Sequence, residues 1–295
     1  VDASTDALYA DPSRHEHEGE QHVIDRLWDF SDPAGSEERF REAADDDEWS
    51  SHVRQALATQ LARAVGLQGR HDEGLAVLDA VETELDEGAA TRHEDHAGGV
   101  RSQSQGEADD AGDDAADAER SEVRARIALE RGRILAAAQR LDDALPELTR
   151  AVREAVHAGS AFLALDALHV LALADTGHER EWAEQGFAVI AADRDPRVRR
   201  WGVALHNNLG WTLHDGGDAA AGLEQFELAV EFADRYGTAK QQHVTRWAVG
   251  RALRTLGRVD EALDLQRELA RAAPDDAWVA GEIDALTAAR AEADG

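Results

Sequence analysis

The chain has 295 residues, with 61 Asp and Glu against 31 Lys and Arg, and a formal net charge of −30. That balance excludes a sequence-independent binder of nucleic acid or of anionic membranes, since both need a basic footprint. Because the chain has no cysteine, disulfides, thiolate metal sites and thiol nucleophiles are excluded as well.

Residues 1–19 are polar, acidic and unpatterned, which predicts a disordered tail. They carry no apolar signal-peptide core, and no segment approaches 18 consecutive apolar residues, so cytoplasmic residence without a membrane is the expectation. Residues 20–47 predict two N-terminal capping helices: Val23, Ile24, Leu27, Trp28 and Phe30 lie at helical spacing, Ser31-Asp-Pro33 ends that helix, and Ser36 reads as the N-cap of the next. Residues 48–86 predict a first helical hairpin. Val53, Leu57, Leu61, Ala62 and Val65 form one stripe, Gly66 to Gly69 breaks it, and Gly74, Leu75, Leu78 and Val81 carry the partner.

The pattern then stops. Residues 87–120 offer only Val100 as an aliphatic beyond alanine, and 107–119 contain acids and no base, which predicts a disordered insertion. Periodicity resumes at Val123, and residues 121–273 read as four further hairpins. In the second of the five, Pro146 falls early in the returning helix, where a missing N–H is tolerated. Trp278 to Ala291, within a closing segment 274–295, reads as a capping helix that is acidic on its outer side.

The last two hairpins are nearly the same text. Gly210 aligns with Gly250, Leu213 with Leu253, Gly217 with Gly257 and Gly222 with Ala262, each 40 apart (250 − 210). Stepping back by 39 or 40 finds equivalent small residues at Ala183 and Ala144, and a 70-residue step (144 − 74) spans the acidic run to Gly74. Gln139 and His178 stand where the other hairpins have a turn glycine. Leu209-Gly210, Leu213, Gly217, Gly222, Phe226 and Ala229, then Gly250, Leu253, Gly257, Ala262, Leu269 and Pro274, resemble the signature of tetratricopeptide repeats. The resemblance spans roughly residues 49–290 with the acidic run excepted, in units of about 40 residues rather than 34. It implies an all-α fold: a right-handed superhelical α-solenoid of about five tetratricopeptide-like hairpins with capping helices.

In that family the first helices line a concave groove that holds a peptide. The resemblance therefore implies a non-catalytic scaffold binding a protein or peptide. The alternative is a regulatory sensor module for a peptide or small effector. Carried over residue by residue, the groove positions are Arg63, Arg133, Asn208, Trp211, His214, Arg251 and Arg254, with Trp247 beside them. Arginine forks recognise carboxylates, so an acidic partner fits, and Trp211 and Trp247 would anchor it. The competing reading is that these arginines are solvated or paired with the chain's own acids. Asn208 resembles the asparagine of the family's carboxylate clamp, but the clamp's lysines are absent; Lys240 is the sole lysine.

No cofactor or metal is expected. His15, His17, His22, His93 and His96 lie among acids in unpatterned sequence, which lacks the fixed geometry a metal needs. Asp166 and His169 share one helix face and His206 follows later, but no nucleophile elbow, phosphate loop or HExxH motif accompanies them.

Overall fold

The computed structural model describes residues 21–97 and 106–293, with side chains for 21–88 and 114–292; every regular element among them is an α-helix. Residues 21–27 form α1, followed by α2 (Pro33–Ala44), α3 (Ser51–Leu67), α4 (His71–Ala97), α5 (Gly106–Ala137), α6 (Leu141–His157) and α7 (Ala161–Ala174). Then come α8 (Glu179–Ala192), α9 (Pro196–Asp215), α10 (Ala219–Tyr236), α11 (Ala239–Thr255), α12 (Val259–Ala272) and α13 (Ala277–Ala293). Two compact units result, divided after Ala167, within α7.

In the first unit α3 packs on α2, α4 and α5, and α5 packs on α4 and α6. In the second unit α9 packs on α8, α10 and α11, and α11 packs on α10, α12 and α13. The helices named pack in chain order within each unit, and the pairs α3–α5, α9–α11 and α11–α13 also touch. Consecutive hairpins stacked on their neighbours give this pattern.

Local chemistry sets the helix starts. Ser50, Asp195, Asp218 and Thr238 each accept a backbone N–H at the start of α3, α9, α10 and α11, and Thr238 with Gln241 completes a capping box. The start of α2 differs from the sequence reading. Asp32 is its N-cap, Pro33 is its first residue, and Ser36 lies inside with its hydroxyl donating to the Asp32 and Asp29 carbonyls. Proline favours the first helical position because its missing N–H has no intrahelical partner there. Pro146 is likewise deeper than expected. It is the sixth residue of α6, so the Asp142 carbonyl has no backbone donor four residues on.

The turns within hairpins share one conformation. Gly217 (φ 94°) and Gly257 (φ 74°) occupy the left-handed region. After Gly217, the Asp218 N–H donates to the Leu213 carbonyl, and the Gly217 N–H to the His214 carbonyl. This pair of bonds is the Schellman closure. Gln139, at φ 61°, adopts the same conformation with a side chain, and Arg140 closes its turn onto Leu135. In the α7–α8 connection Gly177 holds this place (φ 96°), so His178 does not stand in for the glycine.

Close approach explains the other small residues. A methyl group at Gly222 would stand 2.9 Å from the Gly210 carbonyl oxygen, and one at Gly210 would stand 2.5 Å from the Phe226 ring. The partners follow at 12 and 16 residues (222 − 210, 226 − 210). The second spacing recurs as Gly132 against Leu148, at 2.6 Å, and as Gly250 against Gln266, at 2.4 Å. Ile24, Ser36 and Phe40 keep both spacings (36 − 24, 40 − 24) and are all buried. The α1–α2 pair, expected as a cap, therefore follows the hairpin register. A bulky residue at the first position and a proline-containing connection hide it from a pattern search.

The acidic run also differs from expectation. α4 continues to Ala97 and α5 begins at Gly106, while residues 98–105 and the tail 1–19 lie outside the described residues. Alanine, glutamate and arginine propagate a helix without an apolar stripe, and acids near its N-terminus are favoured by the helix dipole. Within the described side chains, Asp117 ties this part of α5 to α6 through His157 (3.1 Å) and accepts from Arg120 (3.1 Å).

Candidate interaction surfaces

Helices α3 and α5 of the first unit bury a polar face where apolar side chains would be usual. Gln55, Thr59, Gln60, Ser121, Glu122, Arg126 and Glu130 are all buried. Glu130 is its centre, 1% exposed. Arg63 Nη1 lies 3.7 Å from one carboxylate oxygen, Arg133 Nε lies 3.3 Å from the other, and Arg133 also pairs with Asp166. The Gln60 amide donates to Glu130 at 3.4 Å and accepts from the Trp28 indole at 3.0 Å. Arg63 lies over the stacked rings of Trp28 and Phe30. Burial, and after it the neighbouring Arg133, lower the Arg63 pKa. Burial acts the same way on Arg133, but Asp166 and Glu130 outweigh it and raise that pKa. Two guanidiniums and two carboxylates sum to zero. The sequence-predicted Arg63 and Arg133 thus sit together, with their charge met inside the unit.

The second unit brings the remaining candidates together differently. Trp211 on α9 faces Trp247 on α11, with ring centroids 5.9 Å apart, and Trp247 meets Trp278 on α13 edge-on, at 6.1 Å. Trp211 also packs on Phe226, whose ring is fully buried, so the row rests on the hairpin core. Trp278 is 76% exposed. Arg254 donates two hydrogen bonds to Glu282, at 2.7 and 3.2 Å. Arg251 approaches the same carboxylate with Nε at 3.5 Å, and its side chain makes no hydrogen bond among the described residues. His214 spans Asp215 (2.9 Å) and the Thr255 hydroxyl (2.8 Å). Asn208 stands apart from this row: its amide donates to Nδ1 of His169 at 3.2 Å, and His169 packs on Trp201.

Sequence reasoning missed Trp278 and Glu282, which read as part of a capping helix. The available signal was an aromatic at the start of a helix directly following Asp276. That carboxylate accepts from the Trp278 and Val279 N–H groups and fixes the turn. Trp28 and Phe30, set at helical spacing in the expected N-terminal cap, part company: Phe30 is exposed, whereas Trp28 packs against the core and hydrogen-bonds Gln60.

The second-unit histidines do not converge. His206 stacks between Phe187 and Phe232 with Nδ1 2.9 Å from the Gln225 amide oxygen, while His214 and His169 keep the separate partners above. Among the described residues no group of three or more His, Cys, Asp or Glu is placed to hold a metal ion. His15 and His17, and the side chains of His93 and His96, lie outside the described residues. A cleft of about 300 Å³ is lined by Asp117, Ser121, Arg124, Arg153, Glu154 and His157; Asp117 pairs with His157, and Arg124 with Asp86. No described helix is long and apolar enough to cross a membrane. Comparison of the chain with family models and with curated proteins finds no match.

Proposed function

We propose that the chain is a non-catalytic interaction scaffold, a right-handed superhelical α-solenoid of tetratricopeptide-like hairpins whose first helices hold a peptide or partner protein. One observation carries this reading: Trp211, Trp247 and Trp278 project from α9, α11 and α13, the alternate helices of the second unit, into a single row. Exposed tryptophan beside arginine is the composition that dominates protein–protein hot spots. The motif glycines support the reading from the other side. Gly210, Gly222 and Gly250 are used for helix–helix approach, leaving the residues between them to define a surface. Arg63 and Arg133 are engaged with Glu130 and Asp166, and Arg254 with Glu282, so the partner contact proposed is with the tryptophan row and Arg251.

Affinity capture from the native cell extract tests the proposal. The intact chain is compared with a Trp278→Ala/Arg251→Ala variant of matched helicity. The variant is expected to lose specific partners; identical partner sets for both proteins would refute the reading.

A further inference from the structure

We infer that the cleft between α5 and α6 binds a small polar zwitterion, a free α-amino acid carrying both its ammonium and its carboxylate. The site lies within the first unit and does not depend on the tryptophan row of the second. Asp117, Ser121 and Arg124 follow one another on α5 at four and three residues (121 − 117, 124 − 121). Arg153 and Glu154 stand four and three residues before His157 on α6 (157 − 153, 157 − 154). Each set shares one helix face, so the two faces form the walls. At about 300 Å³ the cleft is at the lower end of ligand-sized pockets. Every lining residue is polar or charged, so an apolar ligand would leave these groups unpaired.

Three of the lining groups lack partners. Ser121 is 2% exposed, and its hydroxyl makes no hydrogen bond among the described residues. A hydroxyl taken out of water without a partner is unfavourable, and the cleft is the side from which a partner can reach it. Arg153 and Glu154 likewise make no side-chain hydrogen bond or ion pair among the described residues. The other charges are engaged. Asp117 is held on Oδ2 by His157 and on Oδ1 by Arg120, each at 3.1 Å, and these two keep its carboxyl below the usual range. Arg124 meets Asp86 at 3.5 Å. The groups left for a ligand are therefore one cation, one anion and one hydroxyl.

The lining charges sum to zero, two guanidiniums against two carboxylates, and the outer partners Arg120 and Asp86 add one of each sign. A simple anion would pair with Arg153 and bring its charge up against Glu154; a simple cation would do the reverse. An amino acid answers both. Its carboxylate takes the Arg153 fork in the bidentate way guanidinium favours, its ammonium takes Glu154, and Ser121 gains a hydrogen-bond partner.

The test uses the full chain with ¹⁵N-labelled arginine. The Nε–H signals of Arg124 and Arg153, identified from the Arg124→Gln and Arg153→Gln variants, locate binding, and calorimetric titration measures affinity. The probes are L-serine, L-asparagine and L-glutamine, each compared with its N-acetyl form, which lacks the positive charge, and its amide form, which lacks the negative one. At least one of the three amino acids is expected to bind saturably and shift both signals, with its two capped forms about tenfold weaker. Arg153→Gln and Glu154→Gln should each weaken that amino acid about tenfold, and Ser121→Ala about threefold, at unchanged helicity. Arg267→Gln, on α12 of the second unit, should bind it as the intact chain does. A capped form that binds as well as its parent overturns the inference, and so does binding that survives both Arg153→Gln and Glu154→Gln. No saturable shift with any of the three amino acids overturns it too. The Trp278→Ala/Arg251→Ala variant should bind the amino acid unchanged, so loss of partner capture and loss of this binding are separate results.

Discussion

Gln266 occupies the position that Leu148 and Phe226 fill in other hairpins, and replacing it with leucine should stabilise the protein. The side chain is fully buried against Gly250, and its amide oxygen has no hydrogen-bond partner. A buried acceptor left unpaired costs about 1–3 kcal/mol. The only bond lost on substitution is a long one, 3.4 Å, from the amide nitrogen to the Trp247 carbonyl. That carbonyl lies inside α11, where the helix supplies its own donor. Gly132 against Leu148 repeats the same register, with a leucine lying over a bare glycine, so the space accepts this shape. The balance favours Gln266→Leu by about 1–2 kcal/mol. For a domain of this size that is roughly 2–6 °C in Tm. Urea titration followed by tryptophan fluorescence and far-UV circular dichroism should show a higher midpoint with an unchanged slope. An unchanged or lower midpoint would refute the reasoning, because it would mean that the amide oxygen is satisfied in solution.

Three further expectations follow from particular residues. Gln139→Gly removes a side chain from a left-handed backbone (φ 61°) and should raise stability by about 0.5–1 kcal/mol in the same titration, whereas Gly217→Ala (φ 94°) should lower it by a similar amount. Glu130→Gln withdraws one of two carboxylates from the buried cluster with Arg63 and Arg133 and should cost about 3 kcal/mol, seen as a lower urea midpoint. Burial lowers the His206 pKa against the opposing Gln225 bond and the more distant Glu231. The unfolded chain therefore binds a proton below pH ~6.5 that the native state resists, and stability should fall as pH drops from there toward the folded pKa, by up to about 1.4 kcal/mol per unit. His206→Phe, which keeps a ring between Phe187 and Phe232, should flatten that part of the pH profile.

Helix pairing and hairpin register are legible in the sequence because both are local. Gly210, Gly222 and Phe226 stand at spacings that only a close helix crossing requires, and the left-handed turn at Gly217 sits where the pattern breaks. What stays hidden depends on propensity or on distant partners. The continuation of α4 and α5 into the acidic run needs no apolar stripe, so a search for one ends too early. The left-handed Gln139 has no compositional mark. The bond from Gln60 to Glu130 joins residues 70 apart, and neither helix alone announces it.

The fate of the arginines turns on one repeat position. Arg63, Arg133 and Arg251 each stand one residue after the small or glycine residue of a first helix, Ala62, Gly132 and Gly250. Two residues before it the corresponding side chains are Gln60, Glu130 and Ala248. In the first unit Glu130 lies between two arginines, a buried carboxylate hydrogen-bonded by Gln60, and a charge so placed draws both guanidiniums inward. In the second unit the equivalent position is Ala248, which has no charge to offer, and Arg251 must reach out to Glu282 on α13, where Arg254 already holds the better geometry. The same repeat phase therefore gives a closed, neutral cluster in one unit and a partly open cation beside an exposed tryptophan in the other. Of these three arginines Arg251 keeps the most exposed side chain, so the proposed partner contact is best tested there.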